Sequence, residues 1–249
     1  MKLVDLSQPW SAMAPPWPTY NPPEVKFIKR LSEHKVNGQL ITTTNHCGTH
    51  MDGPLHFCSN GKDIASIPLD RLYGPGVIVD VSEVGEYGII KPNHITSKVE
   101  VKKGDILVWH TGFHHHAYCE PGADETKYFC KHPGPDHELM KWAKEMELRW
   151  IGVDCGSADH PMNTVIRKLR PDLAEECEKK LGKSIDSIFK VEDYQMMHTK
   201  LFPYDIIHAE NLGGDIDKLL NQRVTIGAFP WRFVGGESCI CRIVAFVEE

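Results

Sequence analysis

Residues 46–57 read HCGTHMDGPLHF and place His46, His50, Asp52 and His56 within eleven positions. Three imidazoles and a carboxylate are groups that bind borderline or hard divalent metals once deprotonated. Packing does not account for that density. All four positions are even-numbered, and the preceding run Leu40 to Thr44 is apolar and β-branched. An extended chain therefore aims His46, His50 and Asp52 at one face. Gly48, Gly53 and Pro54 argue against a regular helix, so the spacing predicts a strand that ends in a tight loop with the ligands at its mouth. The other template, a helix with His46 and His50 one turn apart, lacks the zincin Glu and would have to tolerate Gly48. Asp52, between small residues and a rigid proline, is placed to bridge rather than to cap.

Outward from this stretch, 249 residues with 41% hydrophobic and 25% charged side chains give enough length for a core, and a single domain over 1–249 is expected. No apolar run approaches the roughly 20 residues needed to span a bilayer. Asp5 and Gln8 stand where a secretory apolar region would be, so the chain reads as cytoplasmic. The formal charge is −6, and the 28 Lys and Arg are interspersed with acids, which argues against nucleic acid as a partner. Eight cysteines without CxxC pairing read as reduced thiols. Cys47 and Cys58 flank the cluster, but Cys47 has the opposite strand parity, and both stay outside the expected site.

Before the cluster, LVDLSQ is strand-like and is followed by a proline-rich arm, about residues 9–23, with five prolines between Pro15 and Pro23 and with Trp10, Trp17 and Tyr20. Such a stretch crosses a surface in extended form, either pinned by its aromatics onto its own or a neighbouring subunit or standing as an aromatic wall over a pocket. Glu24 to Leu31 and Gly38 to Thr44 read as strands leading into the cluster. After it come a short helix (Ser66 to Tyr73), buried strands (Gly76 to Val81 and Asp105 to Thr111) and a short helix (Lys91 to Val99). Further on are an amphipathic helix (Pro135 to Leu148, capped by Asp136) and a strand (Arg149 to Val153). That mixture implies an α/β or α+β fold. Gly112 to Pro135, with His114, His115, His116, Cys119, Cys130 and His132, has little periodicity. Three consecutive histidines cannot face one way in regular structure, and the spacing matches no structural zinc pattern, so a solvated or pocket-covering loop is expected.

The loop VDCGSADHP (residues 153–161) carries Asp154, Ser157, Asp159 and His160, whose side chains would satisfy a turn. Pro171 to Leu181, closed by Gly182, and Val191 to Met197 read as scaffold helices. In HTKLFPYDIIHAENLGG (198–214), a strand from Asp205 to Ala209 delivers Glu210 at its end. There it either serves a site or caps an expected helix, Asp215 to Gln222. Arg223 to Phe229 and Cys239 to Val247 read as closing strands.

The motif HxGTHxDxPxHF at 46–57, the opening DLSQP, the loop VDCGSADHP and the late HAENLGG resemble the metal-dependent cyclase family that includes bacterial kynurenine formamidase and isatin hydrolase. The resemblance runs over most of the chain. It implies an α/β fold of the swivelling β/β/α type, with a mixed-sheet core and peripheral helices, usually assembled as a homodimer or homotetramer. It implies two divalent ions, Zn or Mn: His46 and His50 on one, Asp52 bridging both, and His198 with bridging Glu210 twelve residues on completing the second. His56 would be proton donor and acceptor, Trp17 would contact a small-molecule substrate, and His208 would stand behind the ligands. The implied reaction is hydrolysis of an amide, lactam or imide C–N bond by metal-activated water, with a lactone as the alternative substrate within the family. The chain departs from the formamidase pattern in longer 112–135 and 161–190 regions and in the turn Gly235 to Cys239. The rival readings are a mononuclear iron oxygenase using His46, His50 and Asp52 as a facial triad, which leaves Glu210 and His56 without a role, and a metal-binding protein without turnover.

Overall fold

The computed structural model describes residues 1–248. Its strands in chain order are β1 Lys2–Asp5, β2 Glu24–Lys29, β3 Gly38–Thr42, β4 His50–Asp52, β5 Tyr73–Asp80, β6 Ile89–Ile90, β7 Ile106–His110, β8 Gly134–Pro135, β9 Trp150–Val153, β10 Ile207–Glu210, β11 Gln222–Pro230 and β12 Ser238–Val247. The main sheet runs β1-β12-β11-β5-β7-β9-β10-β4, and β4 also pairs with the start of β12. Seven strands therefore close into a ring, with β1 carried on the far half of the ten-residue β12. Strands β5, β7, β9 and β10 are mutually parallel and the rest of the ring is antiparallel. Closure leaves the central strands without an exposed edge.

Alternation along the strands sorts the side chains into two cores. Met51, Ile78, Ile106, Val108, Ala209, Ala228 and Ile243 fill the inside of the ring. Val77, Val79, Leu107, Trp109, Ile151 and Val153 point outward from β5, β7 and β9, and pack under the helices His137–Glu145 and Pro171–Leu181. The first of these helices is capped as its sequence implies, with Asp136 accepting from the backbone N–H of Glu138 and Leu139. The second ends at Gly182 in the left-handed conformation, φ 65°.

Several local expectations are corrected. The strand before the motif does not continue into it. β3 belongs to a separate exposed hairpin with β2, and residues 43–49 are irregular up to β4, because Gly48 takes φ 69° and turns the chain. Of the two expectations for Gly112 to Pro135, a solvated loop is corrected, since the segment folds as the 3₁₀ turn Phe113–His116 and the helix Glu125–Cys130 with Phe113, His114, Tyr128, Phe129 and His132 buried, whereas Phe129 does line a pocket. The helix expected at Val191 to Met197 breaks at Gln195, and the α-helix is Met196–Leu201, with His198 inside it. Asp215 to Gln222 is only the 3₁₀ turn Ile216–Leu219, since Gln222 already pairs with β5.

Candidate active site and metal centre

Met51 and Ala209 point into the ring, so their neighbours His50, Asp52, His208 and Glu210 point to its outer face. Antiparallel pairing sets His208 opposite Asp52 and Glu210 opposite His50, while on the other flank of β4 Ser238 lies opposite Asp52. Residues about 160 and 190 positions apart in sequence are thereby delivered to one patch. The helix Met196–Leu201 lowers His198 onto it.

Each of three imidazoles is anchored by one ring nitrogen and presents the other. His50 Nδ1 is 2.8 Å from the Gly48 carbonyl, which faces Nε2 toward Asp52 Oδ1 at 3.3 Å. His46 Nε2 is 2.8 Å from Glu237 Oε2, which leaves Nδ1 at 3.1 Å from Asp52 Oδ1. His198 Nδ1 is 2.6 Å from Asp159 Oδ2, and its Nε2 stands 3.5 Å from both Asp52 Oδ2 and Glu210 Oε1. A carboxylate or carbonyl behind each ring is the arrangement that fixes tautomer and aim in metal-ligating histidines.

Asp52 is 1% exposed, and neither of its oxygens makes a hydrogen bond. A buried carboxylate in that state is costly unless a cation satisfies it. Its two oxygens face different partners, Oδ1 toward His46 and His50 and Oδ2 toward His198. Glu210 divides in the same sense, with Oε2 3.7 Å from His50 Nε2 and Oε1 toward His198. Oε1 also accepts from the Ala158 N–H at 2.7 Å. The residues present thus fit a cation centre, with both carboxylates shared among the imidazoles.

Electrostatics agree. Burial disfavours charge on His46, yet the Asp52 and Glu237 carboxylates beside it push its pKa up to about 10. Burial works against a charged His198 too, but Asp159, Asp52 and Glu210 hold its pKa well above the usual value. Burial would raise Asp52, and the neighbouring imidazoles instead hold it well below the carboxylate range. The pocket is built for positive charge, supplied by protons or by a metal. His208, by contrast, is fully buried with neither ring nitrogen hydrogen-bonded, and burial together with His198 keeps it neutral. Its ring packs 4.8 Å from that of His198.

His56 ends the 3₁₀ turn Pro54–His56 and lies over His46 with ring centroids 4.2 Å apart. Its Nδ1 is 2.9 Å from Glu237 Oε2. The groups line a cavity of about 240 Å³ whose apolar walls are Trp17, Tyr20, Phe57 and Phe129. Trp17 is placed by its backbone N–H donating to the His46 carbonyl at 3.0 Å and by an edge contact of its ring with Phe129. The structure therefore brings His46, His50, Asp52, His56, His198, Glu210 and Trp17 to one pocket. Sequence reasoning missed two members. Asp159 reads in the sequence as a turn-forming polar residue, and the one signal for it is its place in a loop just after the apolar run ending at Val153. Glu237 stands in the sequence only as part of the turn Gly235 to Cys239.

A family model described as a putative cyclase matches residues 4–160. The chain belongs to the cyclase family. The match covers His46, His50, Asp52, His56 and Asp159, while His198, Glu210 and Glu237 lie beyond it and join the site through the fold. Among cyclase-family relatives, the chain is 29% identical over 158 residues to a kynurenine formamidase of Bacillus cytotoxicus, spanning 63% of this chain and 69% of that one. It is 26% identical over 159 residues to the kynurenine formamidase of Bordetella avium, spanning 64% and 71%. Isatin hydrolase A from Ralstonia solanacearum superposes with a TM-score of 0.79 at 18% identity over 99% of this chain and 92% of that one. A solved structure described as a potential metal-dependent hydrolase with cyclase activity gives 0.69 at 19% identity over 100% and 98%. At such identities the solved structures share the fold with this cyclase-family chain.

Proposed function

We propose that the protein is a metal-dependent hydrolase that cleaves the C–N bond of a small non-peptide amide, lactam or imide. The observation that carries this reading is the buried Asp52 carboxylate, with no hydrogen bond to either oxygen and imidazoles on both sides. The names of the formamidase relatives support the substrate class. Two divalent ions, zinc or manganese, would be held by His46 and His50 on one side and His198 on the other, with Asp52 and Glu210 shared. When bound, such ions activate water and polarise a carbonyl at neutral pH.

The chain's own residues do the rest. Trp17, Tyr20, Phe57 and Phe129 give the cavity apolar walls against which a flat ring can pack, and the cavity's size selects one- or two-ring substrates over polymers. His56 has Nδ1 held by Glu237, which leaves Nε2 for the pocket. It moves the proton taken from water to the leaving nitrogen as the C–N bond breaks, a task suited to an imidazole, whose ring nitrogens can both take and give a proton. Glu237 aims both His56 and His46. A facial triad would leave His198 and Glu210 without work, although they stand in the same cluster. We further propose assembly as a dimer or tetramer in the cytoplasm. In support of assembly, the β2–β3 hairpin and the 231–234 turn expose Phe27, Ile28, Leu40, Ile41, Trp231 and Val234.

The test is turnover of the zinc- or manganese-loaded protein on formyl anilides, cyclic imides, isatin-like lactams and lactones. Hydrolysis of a C–N substrate, lost by a factor of roughly 10²–10⁴ in His56→Ala with metal content unchanged, is the expected result. Full turnover by His56→Ala at normal metal content refutes the proton-transfer role. Turnover of lactones alone refutes the bond assignment.

A further inference from the structure

A second group of metal-competent side chains stands apart from the active site and shares no residue with it. It comprises His110 at the end of β7, His114 and His115 in the 3₁₀ turn Phe113–His116, and Asp217 in the turn Ile216–Leu219. One ligand atom from each lies within 4.8 Å of all the others. We infer that these four residues form a structural zinc site that ties the segment after β10 to the end of β7.

The distances are those of a ligand shell. Zinc–nitrogen bonds of about 2.0–2.1 Å in a tetrahedron put neighbouring ligand atoms about 3.3 Å apart. His114 Nε2 and His115 Nε2 are each 3.4 Å from Asp217 Oδ2, and His110 Nε2 is 2.9 Å from Asp217 Oδ1. His110 is 5% exposed, and its Nε2 is buried with no hydrogen bond even though Asp217 is so close. This buried nitrogen therefore stands among the other three ligand atoms with no hydrogen bond to satisfy it.

The rings are also oriented from behind. His110 Nδ1 is 3.2 Å from Asp80 Oδ1, and Asp80 in turn accepts from the Ser82 N–H. His114 Nδ1 is 2.9 Å from Asp154 Oδ2, and Asp154 is fixed by the N–H groups of Thr111 and Gly112 and by the Thr111 hydroxyl. Carboxylate behind histidine at two ligands is the outer shell of a metal site. The third histidine of the run is excluded: His116 turns away, with Nδ1 on the Gly122 carbonyl. Three nitrogens and one oxygen from the protein fill four positions, which makes the site structural rather than catalytic. Exposed His115 and Asp217 leave an entry path.

Zinc titration of the full chain by competition with a chromophoric chelator tests this without any turnover assay. Asp217→Asn and His115→Ala alter exposed side chains and leave every active-site ligand in place. Each is expected to bind one tight equivalent of zinc fewer than the wild type, and Asp80→Asn to weaken that equivalent by roughly 10–100-fold. With Co²⁺ the same two variants lose one four-coordinate visible absorption band, while His116→Ala keeps it. Equal stoichiometry and affinity in wild type, Asp217→Asn and His115→Ala overturns the inference. So does a loss in His116→Ala equal to that in His115→Ala, which would mean binding by the histidine tract rather than by a built site.

Discussion

Asp159→Asn isolates the part of the active site that holds a ligand without being one. Asp159 is fully buried, its Oδ2 2.6 Å from His198 Nδ1 and its Oδ1 accepting the Met197 N–H at 3.0 Å. Asparagine keeps the shape but has one acceptor. If that oxygen stays on Met197, the amide NH₂ faces His198 Nδ1, which must then accept. The ring proton moves to Nε2, the nitrogen that faces Asp52 and Glu210. If the amide flips, the NH₂ meets the Met197 N–H instead. Either way the charge-assisted bond between His198 and a carboxylate is lost from a buried site, about 1.5–3 kcal/mol. Loss of an outer-shell carboxylate independently implies a roughly 10–100-fold fall in metal affinity, which is about 1.4–2.7 kcal/mol. The two agree. Competition titration of zinc or manganese at neutral pH reads the change directly, with a thermal melt of the metal-free protein reporting any separate cost to the fold. Wild-type affinity in a folded Asp159→Asn protein would refute the claim that Asp159 sets the tautomer of His198.

Glu237→Gln removes the charge that holds both His46 and His56; kcat and metal affinity should each fall about 10–100-fold, and a fall in kcat alone would show that His46 keeps its aim unaided. Gly48→Ala places a methyl in the left-handed region, 2.8 Å from Trp10 Cδ1. It should cost at least about 1–3 kcal/mol in a denaturant melt, and an unchanged midpoint would mean that the 43–49 segment is not constrained. Burial pushes His160 down to about 3 and His132 down to about 4. The unfolded chain therefore takes up protons below about pH 6.5 that the folded chain refuses, so stability falls with pH from there to about pH 4. The slope approaches about 1.4 kcal/mol per pH unit for each histidine; denaturation midpoints flat between pH 6.5 and 4 would contradict this.

Much of the site was legible because its chemistry is local. His46, His50, Asp52 and His56 crowd eleven residues, and no packing need puts them there. The ring strands were legible from their apolar runs, and the helices His137–Glu145 and Pro171–Leu181 from period and caps. Parity misled at one point: His46, His50 and Asp52 do converge, but through the turn at Gly48 rather than along one strand. The histidine run was misread for a related reason. Its first two members find partners on β7 and beyond β10, contacts that no spacing within the run encodes.

The sequence by itself determined which side chains can hold a cation, where the core strands run and which helices cover them, because those properties depend on residue type and on periods of two or 3.6. Only the tertiary structure decided that His208 faces Asp52, that β12 carries Glu237 up to His46 and that Asp159 stands behind His198. Those are pairings between distant segments, fixed by strand register and ring closure, and register is a property of two strands together that neither segment carries alone.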